Sequence, residues 1–184
     1  MRSVGVRTNI VLFGFMGTGK TCVGRAVAER LGMTYVDLDD LIEAREGATI
    51  SAIFSEKGEA YFRRVEAEVA AEAAKLERHV IATGGGVVLN EHNVRALEAT
   101  GVGICLNATV EAIYARVKDE THRPLLAAGD PVGDPAGNPL AKIRALLAYR
   151  APFYARVSHQ IETTGKPPEA IADEVVAVWR RESR

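Results

Sequence analysis

Gly14-Phe15-Met16-Gly17-Thr18-Gly19-Lys20-Thr21 is the stretch that decides the fold, because it fills every fixed position of G-x-x-x-x-G-K-[ST]. Asn9-Ile10-Val11-Leu12-Phe13 reads as a short apolar strand leading in. Val23, Val27 and Leu31 recur at helical spacing on the way out, and Gly32 suits a C-cap. A strand, a glycine turn and a helix in that order aim several backbone N–H groups at one point. The helix dipole adds partial positive charge there. The spacing predicts a phosphate cradle built from Gly14, Gly17, Thr18 and Gly19, with Lys20 neutralising the β- and γ-phosphates. Thr21 is expected to offer its hydroxyl to Mg²⁺. Cys22 follows in the same helix end and reads as a small packed residue rather than a redox switch. A glycine-rich turn that binds nothing is the alternative. The complete pattern in this setting argues for a bound nucleotide.

The anion must be held locally, since 23 basic and 24 acidic residues leave a net charge of −1. Such a balance supplies no field to attract nucleic acid or an anionic membrane, so neither is an expected partner. A length of 184 residues suits one domain over 1–184, burying roughly 70% of its unfolded surface. No N-terminal stretch has the basic-then-apolar pattern of a signal peptide, and the run from Ile10 to Phe13 is too short to span a bilayer. Cys22 and Cys105 make no disulfide framework, which agrees with a reducing compartment. The expectation is a cytoplasmic monomer. His79, His92, His122 and His159 lack metal-ligand spacing, so no zinc site is expected.

Apolar runs recur at Ile10–Phe13, Tyr35-Val36, Val80–Ala82, Val102–Leu106 and Gln160-Ile161. Most are continuous rather than alternating, as in strands buried on both faces of a parallel sheet. Between them, Phe62, Val65, Val69, Ala73 and Leu76 mark one face of a helix near 59–76. Ile171, Val175 and Val178 mark another, with Pro168 close to its start. Alternating strands and helices imply a three-layer α/β fold whose ligands gather at the carboxyl ends of the strands. Ala127–Pro139 is rich in Gly, Pro and Asp and cannot be a core element. Flanked by Arg123 and Arg150, it reads as a lid over a charged site, a passive surface loop being the plainer alternative.

Four further segments carry chemistry. The second strand ends in Asp37-Leu38-Asp39-Asp40, and extended geometry would point Asp37 and Asp39 the same way. One carboxylate there can hold Mg²⁺ and another can accept a proton from a hydroxyl. Capping of a helix over Leu41–Glu46 by Asp39 or Asp40 would account for only one of the three. Arg63 borders the apolar stripe, with Glu59 and Glu66 spaced to hold its guanidinium, and an Arg so held grips a carboxylate in a planar fork. A solvated helix with ordinary ion pairs would look the same. Gly84-Gly85-Gly86 lets the backbone approach a small polar substrate closely, or makes a plain turn. Arg116, Arg123 and Arg150 surround the suspected lid, where a closing Arg can place positive charge over a migrating phosphoryl group.

Taken together, these segments resemble the shikimate kinase family over almost the whole chain. The match is carried by GFMGTGKT, the DLD at Asp37–Asp39, GExxFRxxE at Gly58–Glu66, Gly84–Gly86, RPLL at Arg123–Leu126 and RAPFY at Arg150–Tyr154. The resemblance implies a nucleoside-monophosphate-kinase-like α/β fold with a five-stranded parallel sheet flanked by helices. A shikimate-binding part falls near 38–77 and a lid near 118–140. It implies phosphorylation of the shikimate 3-hydroxyl by ATP, in the pathway to chorismate and the aromatic amino acids. By matched position, Lys20, Asp39 and Arg123 form the catalytic set, with Asp39 as base. Thr21 ligates Mg²⁺ and Asp37 lies in its outer shell. Asp39, Arg63, Gly84, Gly85, Gly86 and Arg150 bind shikimate, and Glu66 braces Arg63. Gly14, Gly17, Thr18, Gly19, Lys20, Thr21, Cys22, Arg116 and Arg123 meet the nucleotide. Lys166 stands where many relatives carry an arginine beside adenine. Other small-molecule kinases share the P-loop without the remaining set. A GTPase switch would need N-K-x-D, which is absent, and D-x-x-G at 130–133 and 134–137 lies in the loop.

Overall fold

The computed structural model describes residues 7–118 and 138–183. Its centre is β1 (Asn9–Gly14), in which Ile10, Val11, Leu12 and Phe13 have no exposed surface. The pleat sends Val11 and Phe13 into one apolar cluster and Ile10 and Leu12 into another. Both faces of the sheet are therefore covered. Around β1 stand β2 (Thr34–Asp37), β3 (His79–Ala82), β4 (Gly101–Asn107) and β5 (His159–Glu162), all parallel, in the order β2-β3-β1-β4-β5. Parallel pairing requires a crossover between strands, and the helices supply it.

Two helices, α1 (Lys20–Leu31) and α7 (Pro168–Glu182), cover the Ile10 and Leu12 face with Val23, Val27, Ile171 and Val175. On the other face lie α2 (Leu38–Glu46), α3 (Ile50–Ala73), α4 (Glu91–Thr100), α5 (Val110–Val117) and α6 (Pro139–Tyr154). Leu38, Ile42, Phe62, Leu97, Ile113 and Ile143 interlock there. Each such buried side chain contributes about 1.5–3 kcal/mol, so both layers hold the sheet firmly beneath the site. The expected three-layer α/β architecture with five parallel strands is present. No helix among the described residues is long and apolar enough to cross a membrane.

Four details differ from the sequence reading. Edge strands β2 and β5 are not fully buried; Thr34, Gln160 and Glu162 face water. Helix α2 starts at Leu38 rather than Leu41, because Asp37, the last residue of β2, caps it, accepting the Asp39 N–H at 3.0 Å. Asp39 therefore belongs to the first helical turn, and the alternating strand placement of Asp37 and Asp39 does not hold. Helix α3 begins nine residues before Glu59, at Ile50, and Gly58 interrupts it with φ 81° and ψ 169°. Finally, the tail of the expected lid is helical: Asn138 caps α6 at Leu140 N (3.1 Å), with Pro139 in the first turn. The rest of the 118–140 stretch beyond Lys118, with Arg123, His122 and both D-x-x-G tetrapeptides, lies outside the described residues.

Candidate active site

The carboxyl ends of β1, β2 and β3 deliver three segments to one edge of the sheet. After β1 the chain turns at Gly14, whose φ is 143°. A methyl group there would meet the Leu106 carbonyl oxygen at 2.5 Å and Thr18 Oγ1 at 2.8 Å, so only glycine fits. Thr18 Oγ1 donates to the Phe15 carbonyl at 2.8 Å and pins the loop from inside. Lys20 Nζ donates to the carbonyls of Gly14 (2.8 Å) and Phe15 (2.9 Å), which parks the ammonium over the loop. Gly19, left-handed at φ 98°, stands at the N-cap of α1, so the first turn's N–H groups open onto the same cradle. Cys22 is exposed, contrary to its reading as a packed residue, because its helix position faces away from Val23 and Val27.

At the end of β2, Asp37 is held twice. Its Oδ1 accepts the Asp39 N–H, and Oδ2 accepts the Tyr35 hydroxyl at 3.1 Å. Burial pushes the Asp37 carboxyl above its ordinary range. Burial, then the charge of Asp37, raises the Tyr35 phenol, while a hydrogen bond with Thr21 pulls it back. Tyr35 thus links the two candidate magnesium residues. A hydroxyl and a carboxylate beside a phosphate cradle form a sparse, all-oxygen donor set that suits Mg²⁺, which keeps several waters and shares phosphate oxygens. No group of three or more His, Cys, Asp or Glu suited to a metal occurs among the described residues, so no closed protein cage competes with that arrangement.

After β3, each glycine of the triplet faces a different polar side chain. A methyl on Gly84 would lie 2.6 Å from Asp39 Oδ1 and 3.5 Å from Glu66 Oε1. On Gly85 it would lie 3.4 Å from Arg150 Nη1 and 3.6 Å from Tyr154 Oη, and on Gly86 it would run into the Arg63 guanidinium. Arg63 is held from two sides: Nη1 donates to both oxygens of Glu66 (3.1 and 3.0 Å), and Nε and Nη2 donate to Glu59 Oε1 at 3.3 Å. Glu66 is 2% exposed, and burial raises its carboxyl against the opposing pull of Arg63 and Arg150. Arg150 is also 2% exposed, lies 5.7 Å over the Phe15 ring, and leaves Nε and Nη1 without hydrogen-bond partners among the described residues. Unpaired guanidinium N–H groups out of reach of water are costly. A carboxylate entering beside Gly85 would satisfy them.

The other two candidates lie on the β4–β5 side. Arg116 donates to the Gly17 carbonyl (2.9 Å), Thr163 Oγ1 (3.3 Å) and the Thr163 carbonyl (3.2 Å), tying the P-loop to the segment after β5. Lys166 pairs with Glu174 at 2.7 Å. Sequence reasoning missed Tyr35 and Tyr154. Both carried a usable signal: Tyr35 stands two residues before Asp37, on the same face of β2, and Tyr154 stands one helical turn after Arg150.

An anion cradle, a magnesium-type oxygen pair, an aspartate and two placed guanidiniums at one sheet edge can pass a phosphoryl group to a hydroxyl of a small acid. Comparison with known proteins points the same way. The family model described as shikimate kinase matches residues 16–180. The chain is 44% identical over 173 residues to the shikimate kinase of Thermodesulfovibrio yellowstonii, covering 94% of this chain and 95% of that protein. It is 50% identical over 153 residues to that of Symbiobacterium thermophilum, covering 82% and 83%. Among solved structures it is similar to the shikimate kinase from Acinetobacter baumannii in complex with shikimate, with 37% identity, a TM-score of 0.85, and 93% and 92% of the two chains covered.

Proposed function

We propose a division of labour for this chain, which belongs to the shikimate kinase family and transfers the γ-phosphate of ATP to the 3-hydroxyl of shikimate. The P-loop amides from Gly14 to Thr21 and the Lys20 ammonium hold the β- and γ-phosphates. Thr21 and Asp37 would hold Mg²⁺, which when bound would neutralise phosphate charge. Arg63, beside Gly86, and Arg150, beside Gly85, clamp the acceptor's carboxylate, and the backbone of Gly84, Gly85 and Gly86 meets the ring hydroxyls. Asp39 takes the proton from the 3-hydroxyl as that oxygen bonds to the γ-phosphorus. The bond from that phosphorus to the bridging oxygen breaks, and ADP leaves. Arg123 acts on the phosphates, a role that rests on its matched position alone. Arg116 and Lys166 flank the adenine, Lys166 leaving Glu174 to do so. Residues 38–77 form the acceptor-binding part of one domain.

The observation that carries this reading is the buried Arg150 guanidinium, with Nε and Nη1 unsatisfied among the described residues, beside a glycine triplet that Arg63 also borders. A molecule without an acidic group would leave Nε and Nη1 of Arg150 unsatisfied. The test is Arg63→Ala, with turnover read from ADP release and ADP binding from calorimetry. Shikimate-dependent turnover should fall at least about 100-fold, since a desolvated charge pair is worth several kcal/mol, while ADP affinity persists. Undiminished turnover with shikimate, or equal turnover with gluconate or AMP as acceptor, would sink the assignment.

A further inference from the structure

We infer that Tyr154 is a positioning residue of the acid-binding pocket, holding the Arg150 guanidinium and the Gly85 backbone in the arrangement that receives the acceptor's carboxylate. This rests on the carboxylate-clamp reading of Arg150. Tyr154 ends α6 one turn after Arg150 and is 4% exposed. Its hydroxyl donates to the Gly85 carbonyl at 2.6 Å. The Arg150 guanidinium stands beside the same glycine and pulls the phenol's pKa down against the rise that burial causes. One phenol therefore ties together two segments far apart in sequence, the glycine run after β3 and the guanidinium on α6. The position reserved by Gly85 is bordered by Arg150 Nη1 and Tyr154 Oη together, at 3.4 and 3.6 Å from where a Cβ would stand.

Packing alone does not hold that ring. Tyr154 lines a cavity of about 260 Å³ together with Phe15, Leu106, Leu147 and Ala151. With open space at its border, the ring depends on its hydroxyl's hydrogen bond to Gly85 for a fixed orientation. Arg150 depends on the phenol in turn. Its Nε and Nη1 have no partner among the described residues, and the ring of Phe15 gives direction from only one side. A planar fork binds a carboxylate well only when its orientation is set in advance. Deleting the hydroxyl keeps the charge in the pocket and removes its aim.

The experiment measures shikimate and ADP dissociation constants by calorimetry for four proteins: unaltered, Tyr154→Phe, Arg150→Met and the double variant. Tyr154→Phe should weaken shikimate about tenfold, the scale of one hydrogen bond to a charged group, with ADP affinity within twofold of unaltered protein. In the Arg150→Met background the same change should cost less than twofold, because the group it aims is gone. Tyr154→Met removes the hydroxyl with a flexible side chain that suits irregular space, and should repeat the result. Unchanged shikimate affinity in Tyr154→Phe, with Arg150→Met weakened, overturns the role of Tyr154 and leaves the clamp standing. A full tenfold penalty persisting without Arg150 overturns action through that residue. Loss of ADP affinity in both Tyr154 variants marks the tyrosine as structural and overturns the inference. If Arg150→Met itself binds shikimate normally, the clamp fails and the inference with it.

Discussion

Gly84→Ala isolates one contact of the site. Gly84 has no positive φ, so alanine suffers no backbone strain there, and the effect comes from its methyl group alone. That methyl would lie 2.6 Å from Asp39 Oδ1, against an ordinary contact distance of 3.4 Å, so the carboxylate must retreat by about 0.8 Å. Its escape is limited: Asp39 sits in the first turn of α2, whose backbone N–H is fixed to Asp37. Glu66 Oε1, 3.5 Å from the same methyl, closes another side. A misplacement of about 1 Å at the reacting group costs on the order of 100-fold in rate, or about 2.7 kcal/mol of barrier. Gly84→Ala should therefore lower kcat about 100-fold in an ADP-release assay at saturating ATP, Mg²⁺ and shikimate. ADP affinity should stay unchanged, since the atoms nearest the methyl belong to Asp39 and Glu66 rather than to the P-loop. A kcat within threefold of the unaltered protein would show that Asp39 does not need its position beside Gly84, and the assignment of the base would fall with it.

Two other outcomes follow from burial. Burial raises the Glu66 carboxyl above its usual 4.5, so the folded protein holds a proton that the unfolded chain releases. Stability from this residue is present below 4.5 and erodes as pH climbs from there through the raised folded value. Replacing it by Gln removes that erosion, so Tm of Glu66→Gln minus Tm of the unaltered protein should grow from pH 4.5 to 7; a flat difference contradicts the sign. Among the thiols, native protein should take up iodoacetamide at exposed Cys22 and not at buried Cys105, whose pKa burial pushes up to about 12. Mg-ADP should slow the Cys22 reaction, and peptide mapping that finds Cys105 alkylated first would refute this.

Most of the fold was legible one segment at a time. The P-loop octet with its flanking periodicities is local, as are the Gly32 cap of α1 and the Pro168 start of α7. The alternation of apolar runs with helical stripes was enough for a three-layer parallel sheet. Errors came where two local signals competed. At Asp37-Leu38-Asp39, strand alternation and helix capping both fit, and burial of Leu38 at 0% exposure in the core under α2 settled the contest for the helix. The apolar stripe near 59–76 marked only the later part of its helix, since α3 continues on both sides of Gly58.

The chain's own order of residues determined that a phosphate cradle forms, since eight consecutive positions suffice to aim backbone amides at one point. It also determined which side chains could serve a kinase: Lys20, Thr21, Asp37, Asp39, Arg63 and Arg150 each stand in a short readable pattern. Their mutual distances were decided only by tertiary structure. Asp39 against Gly84, the Arg63 guanidinium against Gly86, and Arg150 with Tyr154 around Gly85 join residues brought together by the parallel register of β1, β2 and β3 and the packing of α6. No spacing rule reaches across such separations. The missed tyrosines, Tyr35 and Tyr154, stood at readable spacings from Asp37 and Arg150, but which atoms their hydroxyls meet is set by side-chain direction in the folded state.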